Sequence, residues 1–240
     1  MSIQNVLQKK PQAIIFDTDN TLYPYKPAHK AATKAVEVKA CDLLGISLEK
    51  FNKAFITARS ETKAQLNKTA SSHSRLLYYQ RTIEILGLNT QILMTLDLEQ
   101  TYWRTFLANC RLFPEVKEFI LDLKNEGVVI AIITDLTAQI QFRKIIYFGL
   151  DSYFDYVVTS EEAGADKPSR APFEIALKKL QIPSEDIWMI GDDSNSDIMG
   201  ASQFNMLTLQ KKHQGVLINK ESTHVFESYI ELRNEISWLK

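Results

Sequence analysis

The stretch IIFDTDNTLYP, residues 14–24, carries an apolar segment straight into two carboxylates, Asp17 and Asp19. In an extended chain their Cα atoms lie about 7 Å apart, and alternation points both side chains the same way. Two like charges that close, beside apolar residues, resist joint ionisation unless a cation or an array of donors offsets them. Three later segments hold groups suited to that task. They are Thr134 and Asp135 in IITD, Lys167 in SEEAGADKP, and Asp192, Asp193 and Asp197 in GDDSNSD. Oxygen-rich carboxylate clusters favour Mg2+ over zinc, which prefers nitrogen and sulfur. A hydroxyl and an ammonium beside them suit a phosphate, since Mg2+ commonly joins carboxylates to phosphate oxygens.

Each of these groups follows a short apolar run. AIIF (13–16), VVIAII (128–133), YVVT (156–159) and IWMI (187–190) read as buried parallel strands, with a weaker fifth at MLTL (206–209). Between the later runs the period changes to helical. Val116, Phe119, Ile120 and Leu123 share a face between Pro114 and Gly127, and Phe173, Ala176, Leu177 and Leu180 share another after Ser169 and Pro172. Strand and helix in alternation predict an α/β protein with a Rossmann-like, doubly wound parallel sheet, whose ligand sits at the carboxyl ends of the strands. Residues 24–112 do not fit a single crossover. Four amphipathic faces occur there: Ala32, Val36, Ala40 and Leu43; Phe51, Ala54, Phe55 and Ala58; Leu76, Tyr79, Ile83 and Leu86; Leu98, Tyr102 and Phe106. Four helices suffice for a small bundle. The expected organisation is a discontinuous core, 1–23 plus 113–240, with an inserted all-helical domain at 24–112.

Taken singly, each polar group has a plainer explanation. An acidic pair after a strand is often a turn or cap, Thr134 could cap a helix starting near Thr137, Lys167 could be solvated, and GDDSNSD could be an acidic turn. All four in order, each just past a strand, favour one shared site. The composition, 45% hydrophobic and 24% charged, is that of an ordinary globular protein. The 240 residues carry a net charge of −1, which gives no electrostatic footprint for nucleic acid or a membrane surface. The two cysteines, Cys41 and Cys110, form no CxxC pair, and MSIQNVLQKKPQ lacks a hydrophobic signal core. A soluble, cytoplasmic protein is expected, as a monomer or homodimer.

The four segments together resemble the haloacid dehalogenase-like hydrolase superfamily, of phosphatase type. DTDNT matches the DxDxT motif, the Thr of IITD the second motif, the Lys of DKP the third and GDDSNSD the acidic fourth. The resemblance implies that Asp17 is a nucleophile forming an aspartyl-phosphate and that Asp19 is the general acid/base. It further implies that Mg2+ is held by the Asp17 carboxylate, the Asp19 backbone carbonyl and the Asp192 carboxylate. Thr134 and Lys167 would bind phosphoryl oxygens, and Thr21, Asp193 and Asp197 would support the site from behind. Asp135 stands where many relatives have Asn or a small residue, so its carboxylate is expected to turn away, as a helix cap, while its N–H faces the phosphate.

The carboxylate at position 19 argues for phosphoryl transfer over dehalogenation, because a halide leaving group needs no proton. Residues 135–166 are too few for a second inserted domain, so the insertion corresponds to the helical C1 cap of the family. Such a cap implies a small soluble phosphate ester: a nucleotide, a sugar phosphate, phosphoglycolate or FMN. Arg59, Arg75, Tyr78, Arg81 and Arg104 are the cap residues considered for reading it, whereas the four histidines match no ligand spacing and are expected at the surface. The alternatives are a phosphomutase or phosphotransferase of the same superfamily, and a non-catalytic binding module.

Overall fold

Apolar runs buried on both faces become strands at the centre of a sheet, and the chain uses its runs in that way. The structure, a computed structural model, describes residues 7–239. Strands β1 (Ala13–Phe16), β2 (Val129–Thr134), β3 (Tyr156–Thr159), β4 (Ile187–Gly191), β5 (Leu207–Lys211) and β6 (His224–Phe226) form one sheet. Their order is β3-β2-β1-β4-β5-β6, and every neighbouring pair is parallel. The fold class is therefore α/β with a doubly wound sheet. β1 lies between β2 and β4, with Phe16 opposite both Ile132 and Ile190. This is the point where the strand order reverses, and crevices form beyond the carboxyl ends of strands at such a point.

Helices seal both faces. Residues Ala13, Ile15, Ala131, Ile133, Ile187 and Met189 share a core with Phe173, Ala176 and Leu180 of the helix Arg170–Leu180. On the other face Phe16 meets Phe119 of the helix Val116–Asn125 edge to face, and Phe119 meets Tyr229 of the helix Tyr229–Glu235. Burying each large apolar side chain contributes about 2 kcal/mol. The sequence did not reveal β6, and it started the fifth strand one residue early.

The chain divides into two compact units, Met1–Pro24 with Arg111–Lys240, and Tyr25–Cys110. The second unit holds helices α1 (Tyr25–Leu44), α2 (Leu48–Leu66), α3 (Arg75–Ile85) and α4 (Ile92–Ala108). In the first unit α5 is Val116–Asn125, α6 is Ala138–Tyr147, α7 is Arg170–Leu180 and α8 is Tyr229–Glu235. α1 packs on α4, and α2 on α3. The small buried residues Ala28, Ala32, Val36 and Ala40 recur at every fourth position of α1, which lets a neighbouring helix approach closely. Leu43 does not belong to that face: it lies 55% exposed near the helix end.

Within the helical unit, Arg75 donates to Tyr25 Oη at 2.7 Å and lies over the rings of Tyr78 and Tyr102. His29 joins this group through Tyr102 Oη at 2.7 Å. Burial and the Arg75 charge push the His29 imidazole down to about 4, so the ring is neutral and not at the surface. Arg81, by contrast, is a surface residue paired with Glu61 and Glu84. No helix among the described residues is long and apolar enough to cross a membrane.

Candidate active site

The strand ends bring four chain segments together at the reversal of strand order. Just beyond β1, the Asp17 N–H donates to Ile190 O of β4 at 2.9 Å, which seats this residue against the fourth strand. The loop then turns through Asn20, whose φ of 61° is left-handed, a region Asn tolerates better than most residues. Leu22 N closes the turn on Thr18 O at 2.9 Å, and Tyr229 Oη of α8 donates to Thr21 O at 3.0 Å from below.

Lys167 is the hub. Its ammonium donates to Asp17 Oδ1 and Asp197 Oδ1, each at 2.7 Å, and to Ile133 O at 3.1 Å. An ammonium has three donors, so all of them are committed to protein acceptors. Thr21 Oγ1 donates to the other Asp17 oxygen at 2.9 Å. Ligand oxygens of Asp17, Asp192 and Asp197 lie within 4.8 Å of one another, and all three residues are buried. Three carboxylates thus face one ammonium.

The electrostatics follow from that excess. Burial pushes the Asp17 carboxyl up to about 7, against the pull of Lys167, and neighbouring Asp197 adds to the rise. Burial with the Asp17 charge raises Asp192 to about 6, and burial with the Asp192 charge raises Asp197 to about 6. Lys167 goes the other way: burial would lower it, but Asp17 and Asp197 hold it well above its usual range. A closely spaced all-oxygen set with surplus negative charge fits a hard divalent cation, which would neutralise it.

The pH consequence has a definite sign. A carboxyl whose folded value is raised favours the folded state below its unfolded value, near 4, and loses that contribution as pH rises through 6 to 7. Lys167 stays charged across that window and does not offset it. A divalent cation, which needs the ionised form, should accordingly raise the melting temperature more at pH 8 than at pH 5.5. Thermal melts with Mg2+ and with EDTA at both pH values measure this. A larger cation effect at pH 5.5 would contradict the proton competition.

The remaining expected residues each have specific partners. The Asp19 carboxylate is half-exposed and hydrogen-bonded outside the triad: Lys144 Nζ of α6 donates to Oδ1 at 2.8 Å, and Tyr23 Oη bonds the same oxygen. Burial works to raise the Asp19 carboxyl, but the Lys144 charge and these hydrogen bonds outweigh it and lower it. Thr134 does not cap the following helix. Its hydroxyl meets Thr18 Oγ1 at 2.7 Å and ties the second strand's end to the first loop, while Thr137 occupies the cap position of α6. Leu136, between them, holds a φ of 98°, a costly conformation for a side-chain-bearing residue. Asp135 caps no helix among the described residues. Its Oδ1 accepts from Ser160 Oγ at 2.8 Å and from Lys167 N at 3.0 Å, so it holds the Lys167 loop in place.

The fourth segment separates its two later acids. Asp193 is exposed and caps the π-helical segment Ser194–Met199, its side chain accepting from Asn195 N and Ser196 N, while its backbone N–H donates to Asp197 Oδ2 at 3.0 Å. Asp197, one helical turn on, is buried at 1% exposure and reaches Lys167. Gly191 makes room for it, because a Cβ at that position would fall 2.3 Å from Asp197 Oδ2. Gly191→Ala is expected to cost about 1–3 kcal/mol and to displace Asp197 from Lys167. Chemical denaturation would measure the first effect, and an unchanged midpoint would refute the crowding.

Two participants escaped the sequence reading. Lys144 pairs with a residue 125 positions earlier. His213, expected at the surface, places Nε2 2.8 Å from Asp192 Oδ2. Fully buried Gln210, near the end of β5, donates from Nε2 to Asp192 O at 2.9 Å.

Comparison with known proteins fits the geometry. A family model described as haloacid dehalogenase-like hydrolase matches residues 11–205. The chain belongs to that family, and within it to the phosphatase type of hydrolase. A protein of Halopiger xanaduensis named ribulose-1,5-bisphosphate 5-phosphatase is 38% identical over 199 residues, 82% of this chain and 83% of that one. A glyceraldehyde 3-phosphate phosphatase of Methanothermobacter thermautotrophicus is 30% identical over 92% of this chain and 91% of its own length. Among solved structures, a HAD phosphatase from Thermococcus onnurineus superposes with a TM-score of 0.74 at 21% identity, covering 94% of this chain and 98% of that one. At that identity the likeness speaks to the fold alone.

Proposed function

We propose that the chain is a Mg2+-dependent phosphomonoester hydrolase of small phosphorylated sugars, working through an aspartyl-phosphate on Asp17. The observation that carries this reading is the buried triad of Asp17, Asp192 and Asp197 around Lys167 at the ends of β1 and β4. Asp17 and Asp192 fit a cation as carboxylate ligands, with Asp197 close enough to share or support it. When bound, the cation supplies positive charge for the oxygens of the transferring phosphoryl group.

The chain's own groups do the rest. An Asp17 oxygen attacks phosphorus, the ester P–O bond breaks, and the departing alkoxide takes a proton from Asp19. Water then attacks the aspartyl-phosphate, Asp19 accepts the proton, and the P–O bond to Asp17 breaks to release phosphate. Lys144 and Tyr23 orient Asp19 and favour its carboxylate, the form that accepts the water's proton in the second step; for the first step that carboxylate takes up a proton from solvent, which it passes to the alkoxide. Lys167 balances the nucleophile's charge, and Thr134 is the hydroxyl offered to a phosphoryl oxygen. The Asp135 carboxylate acts indirectly, through the Lys167 loop. The helical unit 25–110 is proposed as the cap that selects substrate.

The choice of sugar phosphates over nucleotides, phosphoglycolate or FMN rests on the relatives' names, ribulose-1,5-bisphosphate 5-phosphatase and glyceraldehyde 3-phosphate phosphatase. A cytoplasmic setting is part of the same proposal. The test is phosphate release from pentose and triose phosphates, nucleotides, phosphoglycolate and FMN, with Mg2+ or with EDTA. Release from the sugar phosphates that stops with EDTA is the expected result. Turnover that survives chelation would overturn the cation requirement, and preference for another substrate class would overturn the sugar assignment.

A further inference from the structure

We propose that His213 is a positioning residue for the cation site, fixing the Asp192 carboxylate so that one of its oxygens faces Asp17. The inference rests on the reading of Asp17 and Asp192 as cation ligands. Two side chains from the end of β5 and the loop after it grip Asp192. His213 Nε2 stands 2.8 Å from Oδ2, while the other ring nitrogen faces Gln214 O at 3.2 Å, which fixes the plane of the imidazole. Gln210 holds the same residue's backbone carbonyl at 2.9 Å.

The loop is itself braced for this role. Gln210 Nε2 also donates to Leu217 O at 2.8 Å, and Gln210 Oε1 accepts from Asn219 N at 2.8 Å. Asn219 Nδ2 then returns to Ser194 O at 2.9 Å, just past Asp193. The segment 210–219 thus closes a hydrogen-bonded ring with 192–194, and His213 is its one contact with the Asp192 side chain among the described residues. Asp17 has Lys167 and Thr21 on its two oxygens, and Asp197 has Lys167 and the Asp193 N–H. Without the ring, Asp192 would be the member of the triad whose carboxylate could rotate. An outer partner that removes such freedom typically changes metal affinity 10- to 100-fold.

The test is calorimetric titration of the full chain with Mg2+ and with Mn2+, comparing parent, His213→Ala and His213→Gln. His213→Ala is expected to weaken the dissociation constant about 10- to 100-fold, and His213→Gln, which restores a donor, to recover much of it. Melting temperatures in EDTA should stay close together, since no cation is present to be positioned. Affinities of parent and His213→Ala within twofold of each other would overturn the proposal. If His213→Ala does not fold, the shorter His213→Asn takes its place under the same criterion. A parent that binds neither cation would instead overturn the ligand reading on which the proposal stands.

Discussion

Asp17→Asn is expected to lower turnover by on the order of 10⁴-fold or more, because an amide is a far weaker nucleophile and cannot form the acyl phosphate. The same substitution should leave the fold intact and, in EDTA, raise the melting temperature. The reason is local: burial and neighbouring Asp197 push Asp17 up to about 7, so at pH 8 its ionisation is forced against its surroundings. An amide there keeps an oxygen for Lys167 and removes one of three crowded charges. In Mg2+ the order should invert, since the variant has lost a ligand. Single-turnover phosphate release and paired melts in EDTA and Mg2+ measure all three effects. Activity within tenfold of the parent would remove Asp17 from the nucleophile's role.

Lys167→Met has the second large effect, this time on stability. The ammonium is buried with 2% side-chain exposure and spans Asp17 and Asp197, whose side chains are 10% and 1% exposed. Removing one partner from such a cluster leaves uncompensated buried charge and costs about 3–5 kcal/mol. For a protein of this size that is roughly 10 °C in melting temperature. Combining Lys167→Met with Asp197→Asn should restore part of the loss, because the second change removes the carboxylate the first one orphaned. A single-variant shift below 1 °C, or strictly additive losses in the pair, would show that the ammonium does not hold the carboxylates together. Phosphate release should be lost in both variants.

The residues that could be read from sequence are those whose role depends on position along one strand or one helix. Asp17, Thr134, Lys167 and Asp192 each come after an apolar run that forms a strand, and such runs announce themselves. β6 did not, because three residues at the sheet edge, His224–Phe226, carry too little pattern. Asp193 and Asp197 looked alike in GDDSNSD. Only the start of the π-helical segment decides that the first caps it and the second, four residues later, points back to Lys167. His213 and Lys144 were out of reach for another reason: their partners lie 21 and 125 positions away, and only the packed sheet brings them together. Asp135 stands out by residue type, but its partners lie twenty-five and thirty-two residues later, at Ser160 and Lys167.

The central place of β1 also determines when the site can exist at all. Ala13 pairs with Val129 on one side and Ile187 on the other, although β1 precedes both partners by more than a hundred residues. A chain emerging from the ribosome at roughly 5–20 residues per second must therefore carry β1 without its sheet neighbours for many seconds. Contacts this distant along the chain close late and slowly. Asp17, Lys167, Asp192 and Asp197 consequently meet only when the sheet is nearly finished. No shorter folding intermediate has to endure the repulsion among those three acids, and the completed sheet can bear it.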